Sequence, residues 1–293
     1  MSDGAAPPPL RRRLAPAVAA LVLAGACRSP PDRSALDADQ ARDFVREQAR
    51  AVRDLSAAVS LSIEADGFEG SLSGALLIEP PSRLRLRASK LLQDVFDLLV
   101  TPDSLELVWF KDGSHYRRRF ARGAAGTLEA SASWSAAPGG TEGGGGPEPF
   151  LARLDGRALR LALSGFELPG RDAAGDLPPS DRVVEAAWAR EGRHFVVRER
   201  LAGGERLERR FDGRSLLLEQ VTLAAPDGAP RLRARYDDPE PAGGLWLPSE
   251  MELEDLAAGV RFSMSFDGVA VNEGVLPGAF TLRPPPGAPV REL

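Results

Sequence analysis

From residue 59 onward the chain repeatedly alternates apolar and polar side chains with a period of two. Leu84, Leu86 and Ala88 alternate with Arg83, Arg85 and Arg87. Leu232, Ala234 and Tyr236 alternate with Arg231, Arg233 and Arg235. Val59, Leu61 and Ile63 alternate with Ser60, Ser62 and Glu64, and Val260, Phe262, Met264 and Phe266 with Arg261, Ser263, Ser265 and Asp267. Successive side chains of a strand point to opposite faces, so each run makes a strand with one apolar and one wet face, the habit of antiparallel sheets. Further strands are expected near 70–79, 104–110, 114–120, 183–190, 194–201, 205–212, 215–223 and 247–255. Turn pairs such as Asp112-Gly113, Gly203-Gly204, Asp212-Gly213 and Asp227-Gly228 separate them. The pattern predicts a mainly β protein of about a dozen strands joined mostly by short turns. Arginines on the outer faces keep such a sheet soluble.

A sheet with one apolar face must cover it. The available cover is an amphipathic helix over about residues 36–56. Ala41, Phe44, Val45, Val52 and Leu55 fall on one side of it at helical spacing, and Arg, Asp, Gln and Glu fill the other. Ser34 followed by Asp37 gives a partial N-cap signature, and Asp37 and Asp39 suit the positive end of the helix dipole. The polar side mixes both charge signs, which favours packing within the protein over lying on a membrane.

The N-terminus reads as a targeting segment. Arg11-Arg12-Arg13 precede an uncharged stretch from Leu14 to Ala26, and Ala24-Gly25-Ala26 lead directly into Cys27. A basic start, a short apolar core and small residues before a cleavage point are the parts of a secretory signal. The stretch is too short to span a bilayer. Cys27 is the one cysteine of the chain. Its position resembles a bacterial lipobox, in which the thiol is acylated before the peptide is cut; the bland alternative is a free thiol just past an ordinary signal peptide. The expected organisation is a signal peptide at 1–26, a tether at 27–35 and a domain at 36–293. Removing the three Arg and one Asp of residues 1–26 would take the formal charge from −5 to −7. That acidic balance argues against nucleic acid as a partner. A lone cysteine allows no intramolecular disulfide, so the fold must rest on its core.

Residues 121–148 are rich in Ala, Gly and Ser and include Gly143-Gly144-Gly145-Gly146. This reads as a flexible insertion, since it offers nothing to pack. It lacks the Lys-Ser/Thr and the strand-to-helix setting of a phosphate loop. A short helix is expected within 148–163, and a loose segment at 167–181. Chemistry is hard to find. The two histidines, His115 and His194, fall in expected strands with no metal-ligand spacing and read as surface strand residues. No Gly-x-Ser-x-Gly elbow is present. The expectation is no enzyme, no cofactor and no metal, with an envelope hydrolase as the remote alternative.

The apolar run Leu91-Leu92-Gln93-Asp94-Val95-Phe96-Asp97-Leu98-Leu99-Val100 stands apart. It reads either as a short element packed on the sheet or as an exposed apolar loop, with Leu91, Leu92, Val95 and Phe96 as its candidates.

The order of helix, alternating strands and the segment Gly74 to Leu86 resembles periplasmic lipoprotein carriers and acceptors of the LolA/LolB type. Leu99 to Leu107 is similar to a LolB-like lipoprotein family. Leu247-Pro248-Ser249-Glu250, the stretch from Val260 to Asn272, and Pro277-Gly278-Ala279-Phe280 resemble that family's last strands and closing Phe. The resemblance covers most of residues 40–290 outside the insertion. It implies a strongly curved, incomplete antiparallel half-barrel with the N-terminal helix covering its concave face. Phe211, Trp246, Met251, Leu253, Phe262, Met264 and Phe266 would then either line a hydrophobic cavity for acyl chains or fill the core. In the acceptor a loop after an early strand carries an exposed Leu that meets the membrane, and Leu91 or Leu92 would correspond. The Gly and Pro that flank it in the family are absent here.

These features together lead to the expectation of a monomeric lipoprotein anchored in the outer membrane by lipid on Cys27 and facing the periplasm. Arg28, where an inner-membrane protein would carry Asp, favours that membrane. The partners expected are the membrane through its anchor and the acyl chains of lipoproteins or another amphiphile, as in lipoprotein localisation and transport. The alternative is a structural or assembly lipoprotein with a filled core and no ligand.

Overall fold

The computed structural model describes residues 29–65, 68–80, 83–111, 113–119, 162 and 183–292. Cys27, the signal segment and the insertion at 121–148 lie outside the described residues. Asp32–Leu293 forms one compact unit.

Among the described residues, helix α1 (Ala38–Ala51) is followed by fourteen strands: β1 (Leu55–Ala65), β2 (Phe68–Glu79), β3 (Arg83–Lys90), β4 (Gln93–Val100), β5 (Ser104–Trp109), β6 (Ser114–Arg119), β7 (Val183–Glu191), β8 (His194–Leu201), β9 (Arg206–Asp212), β10 (Leu218–Ala224), β11 (Pro230–Ala242), β12 (Leu245–Asp255), β13 (Val260–Val271) and β14 (Val290–Glu292). They form a single open sheet in the order β14-β6-β5-β4-β3-β2-β1-β13-β12-β11-β10-β9-β8-β7. Neighbours run antiparallel except β14, which pairs parallel to β6. The expected strands are present. The structure adds β4 from the apolar run, and the short edge strand β14, which carries no readable alternation.

Cross-strand partners carry the period-two pattern across the whole sheet. Ile63 stands between Gly70 and Phe262, Phe262 beside Leu253, Leu253 beside Ala234, and Ala234 beside Val221. Along this row one face is apolar from β2 to β10, and it curls onto itself. Leu76 on β2 and Leu218 on β10 are five strand positions apart. In a flat sheet that is roughly 24 Å. Yet both line one small cavity, which requires strong curvature. The result is the mainly β, curved half-barrel expected from the sequence. Gly74 serves the tight approach of β2 and β3, since a Cβ there would collide with the Arg87 carbonyl.

The helix is shorter than its sequence pattern. Its N-cap is Asp37, not Ser34: the Asp37 carboxylate accepts from the Gln40 amide, and the Gln40 side chain accepts in turn from the Asp37 amide, a capping box. It ends at Ala51 because Leu55 already belongs to β1. Ala41 and Val45 pack on Phe195 and Val197 of β8, Phe211 of β9 and Leu216. The helix thus lies on the apolar face, over the β7–β9 end of it. Part of the expected tether is held in place: Asp32 pairs with Arg214 at 2.9 Å, Arg190 donates to the Ser34 carbonyl, and Arg33 lies 4.1 Å over the Phe44 ring.

The outer face is not uniformly wet. Asp97, Leu99, Val108 and His115 alternate out of phase with the core yet are buried. The C-terminal segment explains part of this. Arg85, held by both oxygens of Asp97 at 2.9 and 2.6 Å, also donates to the Ala279 carbonyl; Arg83 lies over the Phe280 ring; and the Pro289 carbonyl accepts from the His115 amide. The chain after β13 therefore passes over the outer side of β3 before joining the edge at β6. Other outer arginines form exposed pairs such as Arg261–Glu254 and Arg198–Glu191, each contributing little by itself.

Asn272 ties the helix to the sheet. Its side-chain oxygen accepts from the Arg53 amide at 2.7 Å, its side-chain nitrogen donates to the Ala51 carbonyl at 2.7 Å, and its own amide donates to the Asp54 carbonyl. It does so at φ +62°, a conformation Asn tolerates better than most residues. Asn272→Ala should cost about 1–3 kcal/mol through the lost bonds and the strained backbone. A lower urea midpoint at unchanged slope checks this, and an unchanged midpoint rules it out.

Candidate functional site

The concave face carries a small apolar cavity of about 40 Å³. Leu55 and Ala57 of β1 and Leu76 and Ile78 of β2 form one wall; Leu218, Tyr236, Leu247, Met251, Phe266 and Val269 form the other. This volume is on the scale of one or two waters, not of an acyl chain. Of the residues expected there, Met251 and Phe266 line it. Leu253, Phe262 and Met264 are buried in the main core beside it. Phe211 lies under the helix, stacked on Trp188 with ring centroids 6.0 Å apart. Trp246 is half-buried opposite Pro241, and its neighbour Leu247 takes the lining place. The lining residues the sequence did not single out come from strands far apart in the chain, and their convergence needs the curvature of the sheet.

Charge enters the apolar face beneath the helix-covered end. Glu199 of β8 stands between Val197 and Leu201 in the inward phase, and Arg209 of β9 between Leu207 and Phe211. Their side chains are 0% and 5% exposed and form an ion pair through Glu199 Oε2. Val197 and Phe211 belong to the helix-covered cluster, whereas Leu201 and Leu207 belong to the main core. The pair therefore marks the seam between the two. Burial pushes the Glu199 carboxyl above its ordinary range, against the opposing pull of Arg209 and then Arg46 of α1. Tyr236, fully buried, donates to the Ala162 carbonyl at 2.6 Å, and burial raises its phenol as well.

The apolar run resolves into two parts. Leu91 and Leu92 form the two-residue turn between β3 and β4, with φ of +50° and +66°. Both are fully exposed, at 91% and 102%. Two positive φ values define the hairpin geometry that normally selects Asn-Gly, because a Cβ is disfavoured there. Val95 and Phe96 do not share this loop. They lie in β4, where Val95 is half-buried and Phe96 is a core residue stacked on Trp109. The exposed apolar tip is thus two residues long, because strand pairing with β3 begins at Gln93. The tip lies about 17 Å along the strand from Leu86, the partner of the cavity residue Leu76, so tip and cavity sit toward opposite ends of the strands.

The histidines are not surface residues. His115 is buried and its Nε2 lies 2.9 Å from Glu106 on the neighbouring strand, under the C-terminal segment. His194 is half-buried and 3.1 Å from Glu219. Alternation misplaced His115 because a covering segment, not the sheet, decides which outer positions are dry. Among the described residues no three His, Cys, Asp or Glu side chains group as a metal site, and no helix is long and apolar enough to cross a membrane.

No protein-family model and no curated protein matches the chain. Solved structures do resemble it in arrangement. A DUF1329 family protein from Desulfovibrio piger aligns at 12% identity over 83% of this chain and 96% of that one, with a TM-score of 0.49. A domain assigned to outer membrane lipoprotein sorting from Vibrio parahaemolyticus aligns at 10% identity over 84% and 97%, TM-score 0.49. A LolA superfamily protein from Nitrosomonas europaea aligns at 12% identity over 85% and 98%, TM-score 0.47. At these values the likeness is one of general arrangement and carries no functional argument.

Proposed function

We propose that this is a lipid-anchored envelope protein that handles acyl chains at a membrane surface, with the anchor on Cys27 and the outer membrane as its site. The observation that carries this reading is the Leu91–Leu92 tip. Two leucines held in water on a disfavoured backbone cost stability and contribute nothing to the core. An apolar phase that receives them removes that cost. The curved apolar face supplies the second element, a surface of Leu, Met and Phe side chains that can part to admit a chain. Each methylene moved from water into such a surface contributes about 0.8 kcal/mol. Binding is therefore non-covalent and exchangeable, and the ligand is an amphiphile such as the acylated end of a lipoprotein.

The small cavity favours a second reading, a structural lipoprotein whose core is already filled and which uses only its tip. Residues 28–293, made without lipid, separate the two. Native mass spectrometry with solvent extraction is expected to find one bound acyl lipid per chain, or uptake of added lipid. A clean mass that takes up none would sink the carrier reading and leave the structural one.

A further inference from the structure

We propose that Glu199 and Arg209 form a polar subsite at the inner end of the cavity, which receives an uncharged head group carrying both a carbonyl and an N–H or O–H. This rests on the amphiphile-binding reading above and adds the orientation and head-group class of the ligand. Four observations carry it. Both residues occupy positions that the strand alternation assigns to the apolar face. Glu199 engages Arg209 through Oε2 alone; its other oxygen, Oε1, is buried with no hydrogen-bond partner. Such an acceptor in a dry site is costly until a donor reaches it. The subsite also adjoins the cavity: the lining residue Leu218 is the cross-strand partner of Phe211, two residues along β9 from Arg209, and the lining residue Tyr236 lies within the field of Arg209. Finally, the pair lies at the seam between the helix-covered cluster and the main core.

The chemistry follows from the pair itself. The two dry charges of the pair balance each other, Arg46 of α1 being only half-buried, so an ionic head would leave an unbalanced buried charge. Oε1 asks for a donor. The guanidinium carries five N–H donors, and its bond to Glu199 occupies NH1 alone among those seen, so others remain to meet a carbonyl. A carbonyl beside an N–H is an acyl amide; a carbonyl beside an O–H is an unionised fatty acid. Both place the head inward and the chain between Leu76 and Ile78 on one side and Met251 on the other.

Oleamide and methyl oleate share the chain and the carbonyl and differ in the donor. Their binding to residues 28–293 at neutral pH, by displacement of a fluorescent fatty-acyl probe, should differ about tenfold or more in favour of oleamide. The ratio should fall to about one in the Glu199→Leu/Arg209→Met double variant, with folding checked by circular dichroism. Oleic acid tested at pH 5 and pH 8 distinguishes the sources: an unionised acid binding as well as oleamide at pH 5 assigns the shared chemistry to fatty acid, and oleamide alone assigns it to an amide. Equal binding of oleamide and methyl oleate by the unaltered protein would overturn the subsite while leaving the cavity reading intact. So would a preference that survives in the double variant. If neither compound binds the unaltered protein, the cavity reading fails and the subsite with it. The comparison on the unaltered protein needs no variant to fold.

Discussion

Replacing Leu91→Asn together with Leu92→Gly is expected to make the protein more stable and to abolish its attachment to vesicles. The two effects have one origin. Both leucines adopt positive φ at a hairpin turn where Asn-Gly is the favoured pair. Releasing that strain should stabilise the fold by about 1–2 kcal/mol, after allowance for the greater freedom of glycine in the unfolded chain. Among the described residues the same leucines are the large apolar side chains most exposed to water. Full immersion of a leucine side chain contributes about 1.5–3 kcal/mol, so half immersion of the pair changes partitioning by roughly ten- to a hundredfold. Sedimentation of unlipidated protein with phosphatidylethanolamine and phosphatidylglycerol vesicles, beside a urea denaturation curve, reads both. A variant that is stabilised but still sediments with vesicles would show that the tip is not the membrane contact. A variant that is destabilised would show that the leucines serve the fold.

The second large effect concerns the buried pair. Arg209→Met alone leaves the Glu199 carboxylate without its partner in a site where its side chain is 0% exposed. Breaking such a pair from one side costs about 3–5 kcal/mol. That is a large part of the stability of an ordinary domain. Adding Glu199→Leu should return most of it, because an apolar pair of similar volume suits a face that is apolar on either side. The pH dependence of the single variant has a definite sign. Burial first raises the Glu199 carboxyl of the folded protein above the ordinary carboxyl range, with Arg209 from β9 and Arg46 from α1 opposing. A raised acid binds its proton more tightly when folded. Its favourable contribution is complete below the unfolded value and is lost as pH rises through the folded value. Without Arg209 the shift grows, so the deficit of the single variant should be larger at pH 8 than at pH 5. Urea midpoints at the two pH values check this, and a pH-independent deficit would mean that lost packing, not charge, is responsible.

The sequence reading did not single out Glu199 or Arg209, although period two along Val197, Glu199 and Leu201, and along Leu207, Arg209 and Phe211, places both charges on the apolar face. What could not be read is that they meet, because the pairing of β8 with β9 and the approach of the helix settle that distance. The tip was legible as an apolar run but not as a turn. Residues 91–100 carry no turn chemistry at Leu91-Leu92, and only the pairing of β3 with β4 places those two beyond the last hydrogen bonds. Phe262 and Met264 were readable as inward-facing, but whether an inward residue fills the core or lines a cavity depends on how far the sheet curls.

The amino-acid sequence alone thus determined the strands other than β4 and β14, their inward faces and the existence of a covering helix, because side-chain alternation and helical spacing are local properties of the chain. Tertiary structure decided the rest. The C-terminal segment made His115 and Asp97 dry on the outer face. Curvature brought β2 within reach of β10 and closed the cavity to about 40 Å³. Asn272, 221 residues from the Ala51 carbonyl it meets, joined the two ends of the fold. Each depends on contacts between residues distant in the chain, which no local pattern encodes.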